Sequence, residues 1–154
     1  MPKVILRLGE KEDIEQLTNS FAIPLAKKMS EVVGFTVDEE GIQSFVSDFC
    51  NNPLFKPLLA VDNDKIVGAL FLYRRKIFYI KESIVTDHGL MVLPEYRNKL
   101  GKGNIAVRLV TWAIQTARNN NSVYIPSNST GDPSADLLYR DLGGTYLGGF
   151  WVFR

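Results

Sequence analysis

At 154 residues the chain has the size of one domain able to bury a core, and its 45% hydrophobic and 23% charged residues are an ordinary globular balance. A net charge of +1 excludes a molecule-wide field that would draw it to nucleic acid or an anionic membrane, so any basic site must be local. The single cysteine, Cys50, excludes an intrachain disulfide. With charge interrupting the first residues and no apolar run of membrane-spanning length, the expectation is a cytoplasmic protein with neither membrane nor nucleic-acid partners.

In chain order, Lys3–Leu8 reads as a strand, and the segment from Gly9 to Val33 as helical, broken near Pro24 and ended by Gly34. A second helix follows Asp38, with Ile42, Phe45, Val46 and Phe49 on one apolar face; Cys50 is expected in the core beneath it. Leu58–Asp62, a tight turn at Asn63–Lys65 and Ile66–Lys76 spell a β-hairpin whose basic end, Arg74 to Lys76, reads as a solvated edge. Ser83–Pro94 is a third long strand. A basic loop with Gly101 and Gly103 then opens a helix reaching about Asn119, and Ser122–Ser127 is a short strand. Asp132 caps a short helix, with Pro133 at its first position and Gly143 past its end. "GTYLGGFWVFR" closes the chain as one or two strands, an edge that could pair across a homodimer. The order gives an α/β fold with a mixed central sheet: an antiparallel N-terminal half, one β-α-β crossover making a parallel pair, and flanking helices.

The loop before the long helix carries the strongest chemical signal. Glycines allow close approach to backbone, the helix N-terminus offers unpartnered N–H groups and positive dipole, and Arg97, Lys99 and Lys102 add charge. Together they suit a phosphate or pyrophosphate; a plain strand-to-helix turn with solvated cations is the other reading. The P-loop pattern is absent. Gly101-Lys102-Gly103-Asn104-Ile105-Ala106 fits G-x-G-x-x-A, but it lies mid-chain with no acid about 20 residues on, which argues against a nicotinamide or flavin site.

Four segments, in order, resemble one family. "LMVLPEYRNKLGKGNIAVRLVTWAIQTA" (Leu90–Ala117) is similar to the acyl-CoA-binding motif of the GNAT superfamily of N-acetyltransferases, in which a strand ends in V-x-P-x-[YF]-[RQ] and runs into R-x-x-G-x-G/A. "ILRLGEKEDIEQL" (Ile5–Leu17) looks like the family's opening, "LLAVDNDKIVGALFLY" (Leu58–Tyr73) like its hairpin, and "ADLLYRDLGGTYLG" (Ala135–Gly148) like its A-x-x-x-Y-x-x-x-G segment. One departure stands out: Arg97 lies four residues before Gly101, where the family has three.

The resemblance implies a single GNAT-like domain over residues 1–154 that binds acetyl-CoA and a primary amine, with no metal. It implies that the strand carrying Met91, Val92 and Leu93 splays from the next parallel strand and contacts pantetheine through backbone. Arg97, Asn98, Lys99 and Leu100, with Gly101, Lys102, Gly103 and Asn104, would hold the pyrophosphate. Asn128, in the loop Pro126–Ser134 at the cleft mouth, could contact cofactor or acceptor. Tyr139 matches the tyrosine near the CoA sulfur and is the candidate general acid; a core tyrosine beside Leu138 and Leu142 is the other reading. For the base the candidates are Asp87 and His88, with Glu82 at the strand's start, or a water relay. Strand alternation puts His88 with Leu90 and Val92, and Asp87 with Met91 and Leu93. The acceptor is left open among a small metabolite, an amino-sugar antibiotic and a protein amine. A GNAT-like binding or structural module without catalysis and a dinucleotide-binding module are the alternatives.

Overall fold

Two runs of buried residues, on either side of one exposed hairpin turn, explain why this sheet sits at the centre. In a computed structural model, which describes residues 4–53, 56–79, 81–97, 104–128 and 131–148, β2 (Leu58–Asp62) is buried throughout and β3 (Lys65–Lys76) is buried from Ile66 to Leu72. Such runs need cover on both faces. One face carries a cluster of Leu58, Ala60, Leu70 and Leu72 with Ile105, Leu109 and Ala113; the other packs Leu59, Val61, Ala69 and Phe71 on Leu17, Phe21 and Val46. Beyond Leu72 the strand leaves this cover, and Arg74, Arg75 and Lys76 are exposed, as expected of a solvated end.

Among the described residues the sheet has five strands in sequence order: β1 (Ile5–Leu8), β2, β3, β4 (Ser83–Val92) and β5 (Ser122–Tyr124). The first three pairings are antiparallel and β4–β5 is parallel. The parallel pair is joined through α4 (Ile105–Asn119), whose buried stripe of Ile105, Leu109, Val110, Ala113 and Ala117 lies against the sheet. Gly68 on β3 lets this helix come close: a Cβ there would stand 2.8 Å from Ile105 Cγ2 and 3.2 Å from Leu109 Cδ1. Arg108 ties the helix to the opposite sheet edge by donating from Nη2 to the Val4 carbonyl, 3.0 Å away.

The N-terminal helical segment is not broken at Pro24. It runs from α1 (Ile14–Leu17) through a π turn (Thr18–Ala22) into α2 (Ile23–Val33), where Ile23 N–H donates back five residues to Thr18. Proline lacks the N–H needed for an ordinary α bond and its ring crowds the preceding turn. Widening the preceding turn accommodates it without a break. The second expected helix is α3 (Glu39–Asn51), capped by Asp38 Oδ1 on Gly41 N–H at 3.0 Å, with Cys50 buried beneath it. The last expected helix is α5 (Pro133–Asp141), capped by Asp132. Residues 144–148 form no strand, and the rest of the expected closing strand, with its dimer edge, lies outside the described residues.

Candidate active site

β4 and β5 part soon after they meet. Their ladder pairs Ser83 with Ser122, Ile84 with Val123 and Val85 with Tyr124, and Ile125 N–H donates to the Val85 carbonyl at 2.8 Å. The next residue is Pro126, which has no N–H to extend the ladder. Among the described residues, the outer half of β4 therefore has a strand partner only on its β3 side. Between it, α2, α5 and the start of α4 opens a cleft of about 230 Å³.

The backbone groups facing that cleft differ from those expected. Leu93 N–H donates to the Val67 carbonyl at 3.0 Å, toward β3. Alternation along an antiparallel ladder sends the groups of Met91 the same way and turns those of Leu90 and Val92 to the cleft. Arg97 confirms the direction for Val92, donating from Nε to its carbonyl at 2.8 Å. Of the three residues expected to present backbone, Val92 does; Leu90 was missed, because pairing direction is invisible without the ladder.

A bulge in β4 overturns the expected side-chain faces. Phe71 pairs with Gly89 but Leu72 with Asp87, so His88 is an extra residue. The bulge resets the alternation. Asp87 shares the α4 face with Leu90 and Val92, and His88 shares the α3 face with Met91. The bulge rests on Gly89, whose φ of +153° other residues rarely adopt and over which Leu25 of α2 packs so closely that a Cβ would collide with it. Gly89→Ala is expected to lose roughly 1–3 kcal/mol of stability and to loosen α2 from the cleft wall, read by thermal denaturation.

His88 lines the cleft between aromatic rings. It stacks on Tyr73 at 4.1 Å between centroids and meets Phe45 and Phe49 edge-on at 4.9 and 5.7 Å. These rings displace water and lower its pKa below the ordinary value, which keeps the imidazole neutral near pH 7 and able to accept a proton.

Asp87 is 4% exposed. Tyr124 donates its phenol proton to Asp87 Oδ2 at 2.6 Å, while Oδ1 has no hydrogen-bond partner among the described residues. Burial pushes the carboxyl up to about 6, against the opposing pull of Tyr124 and the Ser127 N–H. Tyr139, on α5 in the same cleft wall, is raised well above the usual tyrosine value by burial and then by the field of Asp87 and Asp136, so it stays protonated. Tyr124 was not anticipated. Only the β4–β5 register brings it beside Asp87, and nothing local in Ser122–Tyr124 signals that.

At the phosphate end, Asn104 caps α4 by accepting from Val107 N–H at 3.2 Å, so its side chain serves the helix. Ile105 and Ala106, the first helical residues, line the cleft with N–H groups that have no intrahelical acceptor. Arg97 also lines it, and its terminal NH2 groups make no hydrogen bond among the described residues. Asn98, Lys99, Leu100, Gly101, Lys102 and Gly103 lie outside the described residues. The loop before this end is pinned from β2 and β3: Tyr96 donates to Asp62 at 2.8 Å, and Lys65 pairs with Glu95 at 2.9 Å. Asn128 lines the cleft, but its amide is engaged with Asp132 and with Asp136 Oδ1 in holding the start of α5. Lys28 of α2 lies 3.6 Å from Asp132 across the cleft mouth. Among the described residues no group of three His, Cys, Asp or Glu side chains could hold a metal ion.

No family model matches the sequence, and no curated protein matches it significantly. Solved structures do match its fold. A possible acetyltransferase from Clostridium difficile is 17% identical, with a TM-score of 0.73 over 99% of this chain and 96% of that one. An aminoglycoside acetyltransferase from an uncultured soil metagenomic sample is 20% identical, with a TM-score of 0.67 over 98% and 94%. A GNAT family acetyltransferase from Staphylococcus aureus is 17% identical, with a TM-score of 0.61 over 99% of both chains. With a mostly antiparallel sheet, one diverging parallel pair and helices on both faces, the chain has the fold of the GNAT acetyltransferases.

Proposed function

We propose that the protein is an N-acetyltransferase that takes an acetyl group from acetyl-CoA and passes it to a primary amine by direct attack in a ternary complex. The observation that carries this reading is the parting of β4 from β5, which leaves inward-facing backbone groups in the same cleft as the start of α4, His88 and Tyr139. Leu90 and Val92 supply hydrogen-bonding groups that an extended chain with two amides, such as pantetheine, can use as a strand would. Ile105 and Ala106 N–H, with Arg97 and the loop Asn98–Gly103, suit the pyrophosphate. Acetyl-CoA supplies an activated thioester carbonyl.

The remaining tasks are proton transfers. His88 takes the proton from the incoming ammonium, directly or through water. Tyr139 gives its proton to the departing thiolate. Asp87 is withdrawn as the base, since it is buried against Tyr124 on the opposite face of β4. We extend the reading to one domain over residues 1–154 working in the cytoplasm, where Cys50 stays reduced.

Calorimetric titration with acetyl-CoA, beside NAD and ATP, tests the cofactor. Saturable binding of acetyl-CoA alone is expected, and Gly101→Val and Gly103→Val are expected to abolish it while leaving the thermal transition in place. Binding of NAD instead would replace this reading with a dinucleotide-binding one, and no binding of any of the three would make the chain a non-catalytic module.

A further inference from the structure

The turn that joins β3 to β4 carries side chains that acetyl transfer does not use. Lys76 and Ser83 form the last pair of the ladder, and residues 77–82 cross between them. At the crossing Phe78 is 96% exposed and Tyr79 71% exposed. Their rings meet edge to face, with centroids 4.8 Å apart and planes at 89°. A single exposed apolar side chain is ordinary on a protein surface. Two adjacent aromatics left bare at a hairpin tip mark a place where something else docks.

Cations surround the tip. Within residues 74–82, Arg74, Arg75, Lys76 and Lys81 stand against one carboxylate, Glu82. Arg75, Lys76 and Lys81 are exposed and make no hydrogen bond or ion pair among the described residues, whereas Arg74 donates to Ser83 Oγ at 2.7 Å. The patch is thus a short apolar point with free positive charge on both sides of it in the chain.

We propose that this hairpin tip docks the protein reversibly on an anionic lipid bilayer, with Phe78 and Tyr79 entering the headgroup layer and Arg75, Lys76 and Lys81 resting on lipid phosphates. Aromatic rings settle at the headgroup level, and neighbouring cations meet the negative surface potential. Single-stranded nucleic acid also pairs with aromatics and cations, but it needs open ring faces on which bases stack. Here the two rings are turned edge to face, and Ile77 and Ile80, which flank them in sequence, offer no stacking surface. Both features favour lipid. No helix among the described residues is long and apolar enough to cross a membrane, so the contact is peripheral. The near-neutral charge of the whole chain led to the expectation of no membrane partner, and the proposal departs from it at one local patch.

The tip lies at the Ser83 end of β4, whereas Leu90 and Val92 line the cleft at the other end. Docking through the tip therefore goes beyond acetyl transfer and does not depend on it.

Co-sedimentation of the full chain with vesicles of equal parts phosphatidylserine and phosphatidylcholine, beside vesicles of phosphatidylcholine alone, tests the proposal. Binding to the anionic vesicles only is expected, and it should weaken as salt is raised. Phe78→Ser combined with Tyr79→Ser should reduce that binding about tenfold. Arg75→Gln should reduce it about fivefold. All three positions are exposed, so the thermal transition should stay in place. No binding to the anionic vesicles at low salt overturns the proposal. So does equal binding to both kinds of vesicle, or binding that the double variant leaves unchanged. A gel shift with a single-stranded oligonucleotide, lost in the double variant while the vesicles are ignored, would also overturn it and assign the tip to nucleic acid. None of these readouts needs acetyl-CoA or an amine, so failure of docking and failure of the proposed transferase activity are told apart.

Discussion

Tyr139→Phe is expected to lower kcat by about 10²–10⁴-fold while leaving the Kd for acetyl-CoA unchanged, the range typical of losing a positioned proton donor. In free energy this is roughly 3–5 kcal/mol at the transition state. The substitution keeps the ring that packs α5 against the cleft and removes only the hydroxyl. No hydrogen bond from that hydroxyl to a described residue is lost, so the fold has little reason to respond. A fall in kcat and kcat/KM together, with calorimetric Kd constant, would mark an interaction made only in the transition state. Unchanged kcat would remove Tyr139 as the acid and return it to the role of a packing tyrosine beside Leu138.

Gly68→Val should lower stability and acetyl-CoA affinity together. The first carbon alone would lie 2.8 Å from Ile105 Cγ2, 3.2 Å from Leu109 Cδ1 and 3.4 Å from Ala60 Cβ. Ile105 and Leu109 are 1% and 0% exposed and have nowhere to go. Overpacking of this kind costs roughly 1–3 kcal/mol, which lowers Tm by several degrees in a chain of this length. The strain falls on the first turn of α4, which presents Ile105 and Ala106 N–H to the cleft. Acetyl-CoA affinity should therefore drop by more than the fraction unfolded explains. Thermal denaturation with calorimetry on the same variant checks both. Normal affinity in a destabilised variant would show that α4 can shift without disturbing the phosphate end.

Much of the architecture was legible because period and punctuation agreed. Leu58–Asp62 appears with its expected bounds, since turn residues delimit it, and Asp38 and Asp132 cap the helices they were expected to cap. What failed to show in the sequence was geometry set between distant elements. The parity of β4 was misassigned because a bulge adds one residue, and the only local hint of it was a glycine at position 89. The role of Tyr124 depends on parallel register with a strand 37 residues earlier. Pro24 looked like a break because local rules do not say whether a neighbouring turn will widen to absorb it.

The parted strands also bear on solubility. A sheet edge with unpaired N–H and C=O groups is a template on which another chain can add a strand, and long exposed edges invite aggregation. Here the outer half of β4, with no strand on its second side among the described residues, is walled in by α2, α5 and the start of α4. A hydrogen-bonding row is thus kept open to a slender extended molecule, while a second sheet is refused for want of width.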